Sequence, residues 1–339
     1  MEKKHSYYIT KHGSAQTAFE LREEEIPQPQ TGFIRVETEG FGINFADIMA
    51  RKGLYQDAPP TPCVVGYESV GRTMDESVIG GETFPAGTRV VAFSRFGGYS
   101  THVLADERAV QPIPEDIPLG EALALAVQYC AEERVSIFAE DHVLVQAAAG
   151  GVGTALVQLL KRKGCTIYGT AGSEEKLKYI QEQGVHVPIN YRKQDFAKVI
   201  KEKLGKRGLD VVFDSLGGKS YSDGFKALGK GGRIVGFGAS EQVAGGLAVI
   251  NQLKLAANFG LFSPIQLLMK SQGMIGVNML HVADDRPEVL ARTMKAVVEL
   301  WKAGEIKPVV GAEFSADKLA EAHEFVESRK SMGKVAVRW

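Results

Sequence analysis

The chain has 339 residues, 24% of them charged and 44% hydrophobic, with a formal net charge of −1. That length exceeds the usual single core, so two domains are expected. Lys and Arg are scattered in near balance with the acids, which argues against a basic nucleic-acid stripe or a basic membrane-surface helix.

In chain order, residues 1 to about 120 read as β-rich. FIRVETEGFGI (33–43) alternates and TRVVAFS (88–94) is apolar, with Pro and Gly punctuating throughout. MEKKHSYYIT at the start lacks an apolar signal core. PIPEDIP (112–118) is a proline-studded break, and EALALAVQYCAEERVSIF after it predicts a helix. From Val143 the texture changes: HVLVQA, CTIYGTA, VPINY, LDVVFDS, GRIVGFG and GMIGVNML predict strands. TALVQLLKRK, SEEKLKYIQEQ, DFAKVIKEKL and KSYSDGFKAL between them predict helices. Such alternation implies βαβ units on a parallel sheet, an α/β class. The apolar run Val143 to Leu160 is broken by Gly and Gln and reads as strand, turn and helix, not a membrane span. The tail offers two amphipathic helices, PEVLARTMKAVVELWKAG and SADKLAEAHEFVESRK, and a closing strand, GKVAVRW. It has no sheet of its own, so it is expected to rejoin the first domain: 1–122 with 281–339, against 123–280 for the second. Cys63, Cys130 and Cys165 are far apart and odd in number, which predicts free buried thiols in a reducing cytoplasm.

QAAAGGVG (146–153) lies between a predicted strand and a predicted helix. A glycine turn there exposes free helix N–H groups and the positive dipole end, a site for a pyrophosphate. Gly150, Gly151 and Val152 would let backbone approach the phosphates, and Gly153 would let the helix pack on the strand. Ala148 stands where the commonest fingerprint has its first glycine. Proteins that take NAD place an acid about 20 residues on. Here the second strand ends in Thr170-Ala171-Gly172-Ser173 with no acid at its tip, and Lys176 follows. A small hydroxyl-bearing turn with a lysine suits a 2′-phosphate and predicts NADPH. Glu174 and Glu175 are expected in the first turn of a helix that Ser173 caps, although either could bind a ribose.

GINFADIMARKGLY, PPTPCVVGYESVG, VLVQAAAGGVGTALVQLLK, GTAGSEEKLKYI, VPINY, VVFDSLGG and GRIVGFGA, in this order and spacing, resemble the medium-chain dehydrogenase/reductase superfamily. The zinc-free quinone oxidoreductase (zeta-crystallin-like) branch is the most similar. SPIQLLMKSQGMIGVNML and the terminal GKVAV fit the subgroup related to vesicle-membrane reductase-like proteins. The resemblance implies a doubly wound Rossmann domain beside a GroES-like β-domain, with the active site where they face each other. It implies that Lys176, Tyr191 and Ser173 approach the 2′-phosphate, although Tyr191 could equally pack on the sheet. It implies that Leu216, Phe237 and Gly238 line the ribose and nicotinamide side, with Phe45 near the nicotinamide. It also implies a homodimer paired through Rossmann-sheet edges, with 232–239 near the edge.

Zinc relatives in this superfamily bind the metal through a Cys, here Asn44, and the His of GHE, here Tyr67 in GYES. SRFGGYS after RVVAF offers none of the cysteines of a structural site, and His102, His142, His186, His281 and His323 are isolated. No metal is expected. Without a Lewis acid, hydride delivery to a quinone, enone or enal is the accessible chemistry, aided by hydrogen-bond donors at the developing oxyanion. Asn44, Tyr55 and Tyr67 are the candidates for that role. Asn44 with Asp47 is also a helix start, and Tyr55 could simply cover an apolar edge. Glu132 and Glu133 depart from the Thr-Ala-Tyr-like segment of relatives, which points to a changed pocket or weakened activity. Two other readings remain: a silent NADPH-binding scaffold or sensor, and a zinc alcohol dehydrogenase.

Overall fold

The computed structural model describes residues 2–125, 135–239, 258–260 and 262–339. The chain forms two compact units, one from Met1–Tyr129 with Leu280–Trp339 and the other from Cys130–Met279.

The second unit carries six parallel strands. Across the sheet they run Val187–Asn190, Thr166–Ala171, His142–Val145, Leu209–Asp214, Leu228–Gly236 and Gly273–Gly276. The strand order reverses on either side of His142–Val145, which leaves a crevice at the carboxyl ends, the doubly wound arrangement. Val143, Leu144, Val145, Val211, Val212 and Phe213 are fully buried, as strands covered on both faces require. Helices Gly151–Lys163, Glu174–Gln183, Phe196–Leu204 and Gly218–Lys226 follow the strands. Among the described residues the edge strand on one side is Gly273–Gly276, and 232–239, expected near the edge, begins within the strand beside it.

In the first unit, a sheet of seven strands, parallel and antiparallel, is built on the long strand Phe33–Ile43. The order is Val310–Ser315, Lys334–Arg338, Phe33–Ile43, Glu68–Thr73, Arg89–Phe93 and Val110–Pro112, and His102–Asp106 also pairs with Phe33–Ile43. The closing strand Lys334–Arg338 pairs antiparallel with Phe33–Ile43, Val335 opposite Ile43. Its other neighbour, Val310–Ser315, was not foreseen: VGAEFS alternates, but with alanine and glycine in place of large apolar residues.

The long helix expected from Glu121 is helical over Leu119–Leu125, and residues 136–138 are not helical. Ile137 is buried in the core of the second unit, Val135 packs against it, and Arg233 donates to the Ser136 carbonyl. These contacts draw the segment out of a helix. The part between, including Glu132, Glu133 and Cys130, lies outside the described residues. Cys63 and Cys165 are buried thiols outside any disulfide. Among the described residues, no helix is long and apolar enough to cross a membrane.

Candidate active site

The glycine turn is built as its sequence requires. Gly150 caps the helix Gly151–Lys163, whose first turn holds no acidic residue. A Cβ on Gly153 would lie 2.4 Å from the Ala147 carbonyl oxygen and 2.8 Å from Ala148 Cα, so only glycine lets this helix meet the strand. Ala148, in the place of the fingerprint's first glycine, is fully buried. Its methyl group is accommodated by Gly169 on the next strand, where a Cβ would sit 3.1 Å from it. Ala147 adopts a left-handed φ of 51°. Its N–H is held by Thr170 Oγ1 at 3.1 Å, and that hydroxyl donates to Gln146 Oε1 at 2.6 Å. The Gln146 Nε2 amide is buried at the strand end with no partner among the described residues.

Beyond the second strand, Ser173 caps the helix Glu174–Gln183 by accepting the Lys176 N–H at 3.3 Å. The Tyr191 phenol lies over the Gly172 turn, since a Cβ on Gly172 would meet its oxygen at 2.5 Å. Tyr191 is therefore at the turn, 41% exposed, and not packed on the sheet. Lys176 is half-buried, and burial lowers its pKa, with Arg192 adding to the fall. Arg192 is a cation the sequence reading passed over. It follows the strand-end pair Asn190-Tyr191, and Tyr191 was the residue singled out there. Glu174 is occupied: its carboxylate accepts from Lys193 at 2.7 Å and Asn190 Nδ2 at 3.1 Å, and the Lys193 bond chiefly lowers its pKa. At the next two strand ends, Asp214 accepts the N–H groups of Leu216 at 3.0 Å and Gly217 at 2.6 Å. Phe237 N–H is bonded to the Asp214 carbonyl, and Gly238 passes so close to Ser215 that a Cβ would meet its carbonyl oxygen at 2.6 Å. Gly150, Gly151, Val152, Gly153, Gly172, Ser173, Lys176, Tyr191, Leu216, Phe237 and Gly238 thus gather at the carboxyl ends of the parallel strands of one unit.

The remaining candidates lie in the other unit. Asn44 caps the helix Phe45–Arg51, and the Asp47 carboxylate returns to accept the Asn44 N–H at 2.7 Å and the Gly66 N–H at 3.2 Å. Phe45 opens that helix and packs against a core of Phe41, Ile43, Ile48 and Tyr99. The Asn44 side chain turns elsewhere. Its Nδ2 donates to both oxygens of Glu68, at 2.8 and 2.7 Å, and its Oδ1 accepts from Lys334 Nζ at 2.9 Å. Glu68 and Lys334 form an ion pair, both buried. Tyr67 stacks near Phe93 and lies edge-on to Tyr55 with ring centroids 6.5 Å apart. Its hydroxyl is buried without a hydrogen bond of regular geometry among the described residues, and the Tyr55 phenol is its polar neighbour. Burial first, then the Asp47 carboxylate, raises the Tyr67 pKa; burial and Asp57 raise that of Tyr55.

The comparisons bear on both units. The description "Alcohol dehydrogenase GroES-like domain" matches residues 30–115, and "Zinc-binding dehydrogenase" matches 151–295. The quinone oxidoreductase of Rattus norvegicus is 30% identical, over 91% of this chain and 90% of its own. The chain belongs to the medium-chain dehydrogenase/reductase superfamily. Within it, the chain groups with the quinone oxidoreductases and with the synaptic vesicle membrane protein VAT-1 homolog of Homo sapiens, 32% identical over 91% of this chain and 79% of that protein. The structure of Escherichia coli quinone oxidoreductase complexed with NADPH superimposes with a TM-score of 0.82 at 27% identity, covering 99% of this chain and 100% of that one.

Superfamily members that hold catalytic zinc need soft or nitrogen donors converging on one point. At the corresponding positions this chain has an amide already engaged by Glu68 and Lys334, and a phenol. That donor set does not fit zinc. Among the described residues, the one cluster with ligand-like spacing is Glu2, Glu37 and His102, which includes neither Asn44 nor Tyr67. Two residues of the amide cluster escaped sequence reading. Glu68 was within reach, as the acid of GYES; Lys334 was not, because nothing local in GKVAVRW points to a site 266 residues away.

Proposed function

We propose that this protein is an NADPH-dependent, metal-free reductase that transfers hydride to a quinone or an α,β-unsaturated carbonyl compound. The observation that carries the reading is the Tyr67 hydroxyl, buried without a hydrogen bond of regular geometry among the described residues and with the Tyr55 phenol beside it, in the unit that also holds Asn44. An unmet buried donor costs about 1–3 kcal/mol, so a ligand oxygen that accepts from it recovers that cost. Held at the glycine turn, NADPH would supply two electrons and one hydrogen as hydride. The chain's own contribution is to bind and to stabilise charge. The helix end at Gly150–Gly153 takes the pyrophosphate, and Ser173, Lys176, Tyr191 and Arg192 favour the 2′-phosphate. Leu216, Phe237, Gly238 and Phe45 serve the nicotinamide side. Asn44, Tyr55 and Tyr67 receive the acceptor's oxygen, on which negative charge grows as hydride arrives. Water or a phenol then delivers one proton to complete the reduction. The NADPH complex of the Escherichia coli relative supports the coenzyme assignment. Cys63 and Cys165 as thiols support a reducing cytoplasm as the compartment of this reading.

The test is NADPH oxidation with a panel of quinones, enones and enals, beside calorimetric titration with NADPH and NADH. The expected outcome is NADPH binding well ahead of NADH and turnover of at least one acceptor without added metal. Tyr67→Phe should lower kcat/KM by about tenfold or more. Its melting temperature should change little, because the lost hydroxyl has only the Tyr55 phenol as a polar neighbour among the described residues. Tight NADPH binding with no acceptor reduced would instead indicate a silent coenzyme-binding protein, and loss of activity with chelator a metal enzyme.

A further inference from the structure

We propose that Glu68 and Lys334 are a positioning pair that holds the Asn44 amide in a single orientation, with one N–H left for the acceptor's oxygen. This rests on the reading of Asn44 as an acceptor-binding donor.

Three adjacent strands build the arrangement. Phe33–Ile43 is central; Glu68 begins the strand on one side and Lys334 the strand on the other. Both side chains reach over Gly42 of the central strand. A Cβ there would fall 2.2 Å from Glu68 Oε1 and 2.5 Å from Lys334 Cε, so the charges meet in space that a glycine vacates. Asn44 follows two residues on, where the strand gives way to the helix.

The partners leave the amide no choice of direction. An ammonium only donates and an ionised carboxylate only accepts, so Oδ1 must face Lys334 and Nδ2 must face Glu68. A side-chain amide between neutral partners could flip. The hydrogens of Nδ2 are also constrained. The two Glu68 oxygens lie 2.8 and 2.7 Å away and subtend a narrow angle, far smaller than the spread between the two N–H bonds. One hydrogen is therefore shared by the carboxylate, and the other points away from it as a spare donor. An apolar pair of similar volume would serve folding at least as well as a buried ion pair. Orientation of Asn44 gives these two charges a purpose that apolar side chains would not serve.

The experiment compares Asn44→Ala, Glu68→Gln, Lys334→Met and Gly42→Ala, with each of the last three also combined with Asn44→Ala. For each, kcat, KM, NADPH affinity and melting temperature are measured. Gly42→Ala displaces the pair without removing either charge. The expected result is a fall in kcat of about tenfold to a hundredfold for each single variant. NADPH affinity should stay within about twofold, and no further loss of kcat should appear once Asn44 is already alanine. Losses that multiply in the Asn44→Ala background would overturn the pairing and leave Asn44's own role intact. An Asn44→Ala protein with wild-type kcat would overturn the reading of Asn44 itself. Should no acceptor be reduced, crystal structures of the wild type and Lys334→Met decide. The amide is expected to rotate or split into two conformers without the lysine; an unmoved amide refutes the proposal.

Discussion

Asp47 shows how one buried carboxyl can set the pH response of a fold. It is fully buried, accepts the Asn44 and Gly66 N–H groups, and lies near Glu68, Lys334 and Tyr99. Burial, reinforced by the Glu68 charge and opposed by the Asn44 N–H and Lys334, pushes its pKa from 3.8 up to about 7. The folded state therefore holds the proton more tightly than the unfolded one. The stabilisation is complete below about pH 4 and is lost as pH rises through about 7, with a slope of at most roughly 1.4 kcal/mol per pH unit. Asp47→Asn should remove that slope; it should be less stable than wild type by ~1–3 kcal/mol at low pH, for the lost acceptor, and the deficit should shrink or reverse as pH rises through about 7. Urea unfolding of both proteins at pH 4.5, 6 and 8 checks this, and parallel curves would refute it. At this scale the sequence was half legible. Asp47 was readable as the acid three residues into a helix, because that contact is local. Its burial was not, because the strands and loops that cover it come from distant segments.

The turn from Gln146 to Gly153 is an element under two opposite demands. Gly153 must lack a Cβ for the helix to reach the strand, and Gly153→Ala should cost about 1–3 kcal/mol through overpacking and weaken NADPH binding with it. Ala147 is the reverse case. Its left-handed φ of 51° strains an L residue, so Ala147→Gly should stabilise by about 1 kcal/mol with NADPH affinity kept. Thermal unfolding and calorimetric titration of the two variants test both signs, and equal shifts would contradict the geometry. The strand–glycine–helix pattern was clear from the residues because its period changes from two to three and a half within a dozen positions. Val310–Ser315 was hidden because small residues blur alternation, and 136–138 because core contacts overrode local preference.

For the molecule as a whole, the three most exposed large apolar residues among those described share one helix. Helix Pro264–Lys270 has no buried residue, and Ile265, Leu268 and Met269 on it are 63%, 76% and 79% exposed. The helix leads into the edge strand Gly273–Gly276. Among the described residues no further strand pairs with that edge, and such a row of backbone groups beside an apolar helix suits a second copy; a homodimer is the assembly we propose. Leu268→Glu with Met269→Glu should shift the mass in sedimentation from dimer to monomer; an unchanged mass would dismiss this edge as the interface. The two-layer architecture was readable from the order of helices and strands, whereas the identity of the edge depended on how six strands are shuffled.

The strand Phe33–Ile43 waits for its partner. Lys334–Arg338 joins it across 290 residues of intervening chain, counted from Asn44 to Lys334. At roughly 5–20 residues per second, a ribosome needs about 15–60 s to make that stretch. Through that interval, the nascent first unit carries an open flank and a buried-to-be Glu68 without its counter-charge. Chaperone capture during translation should concentrate on this window, and the amide cluster can assemble only after the second unit has emerged.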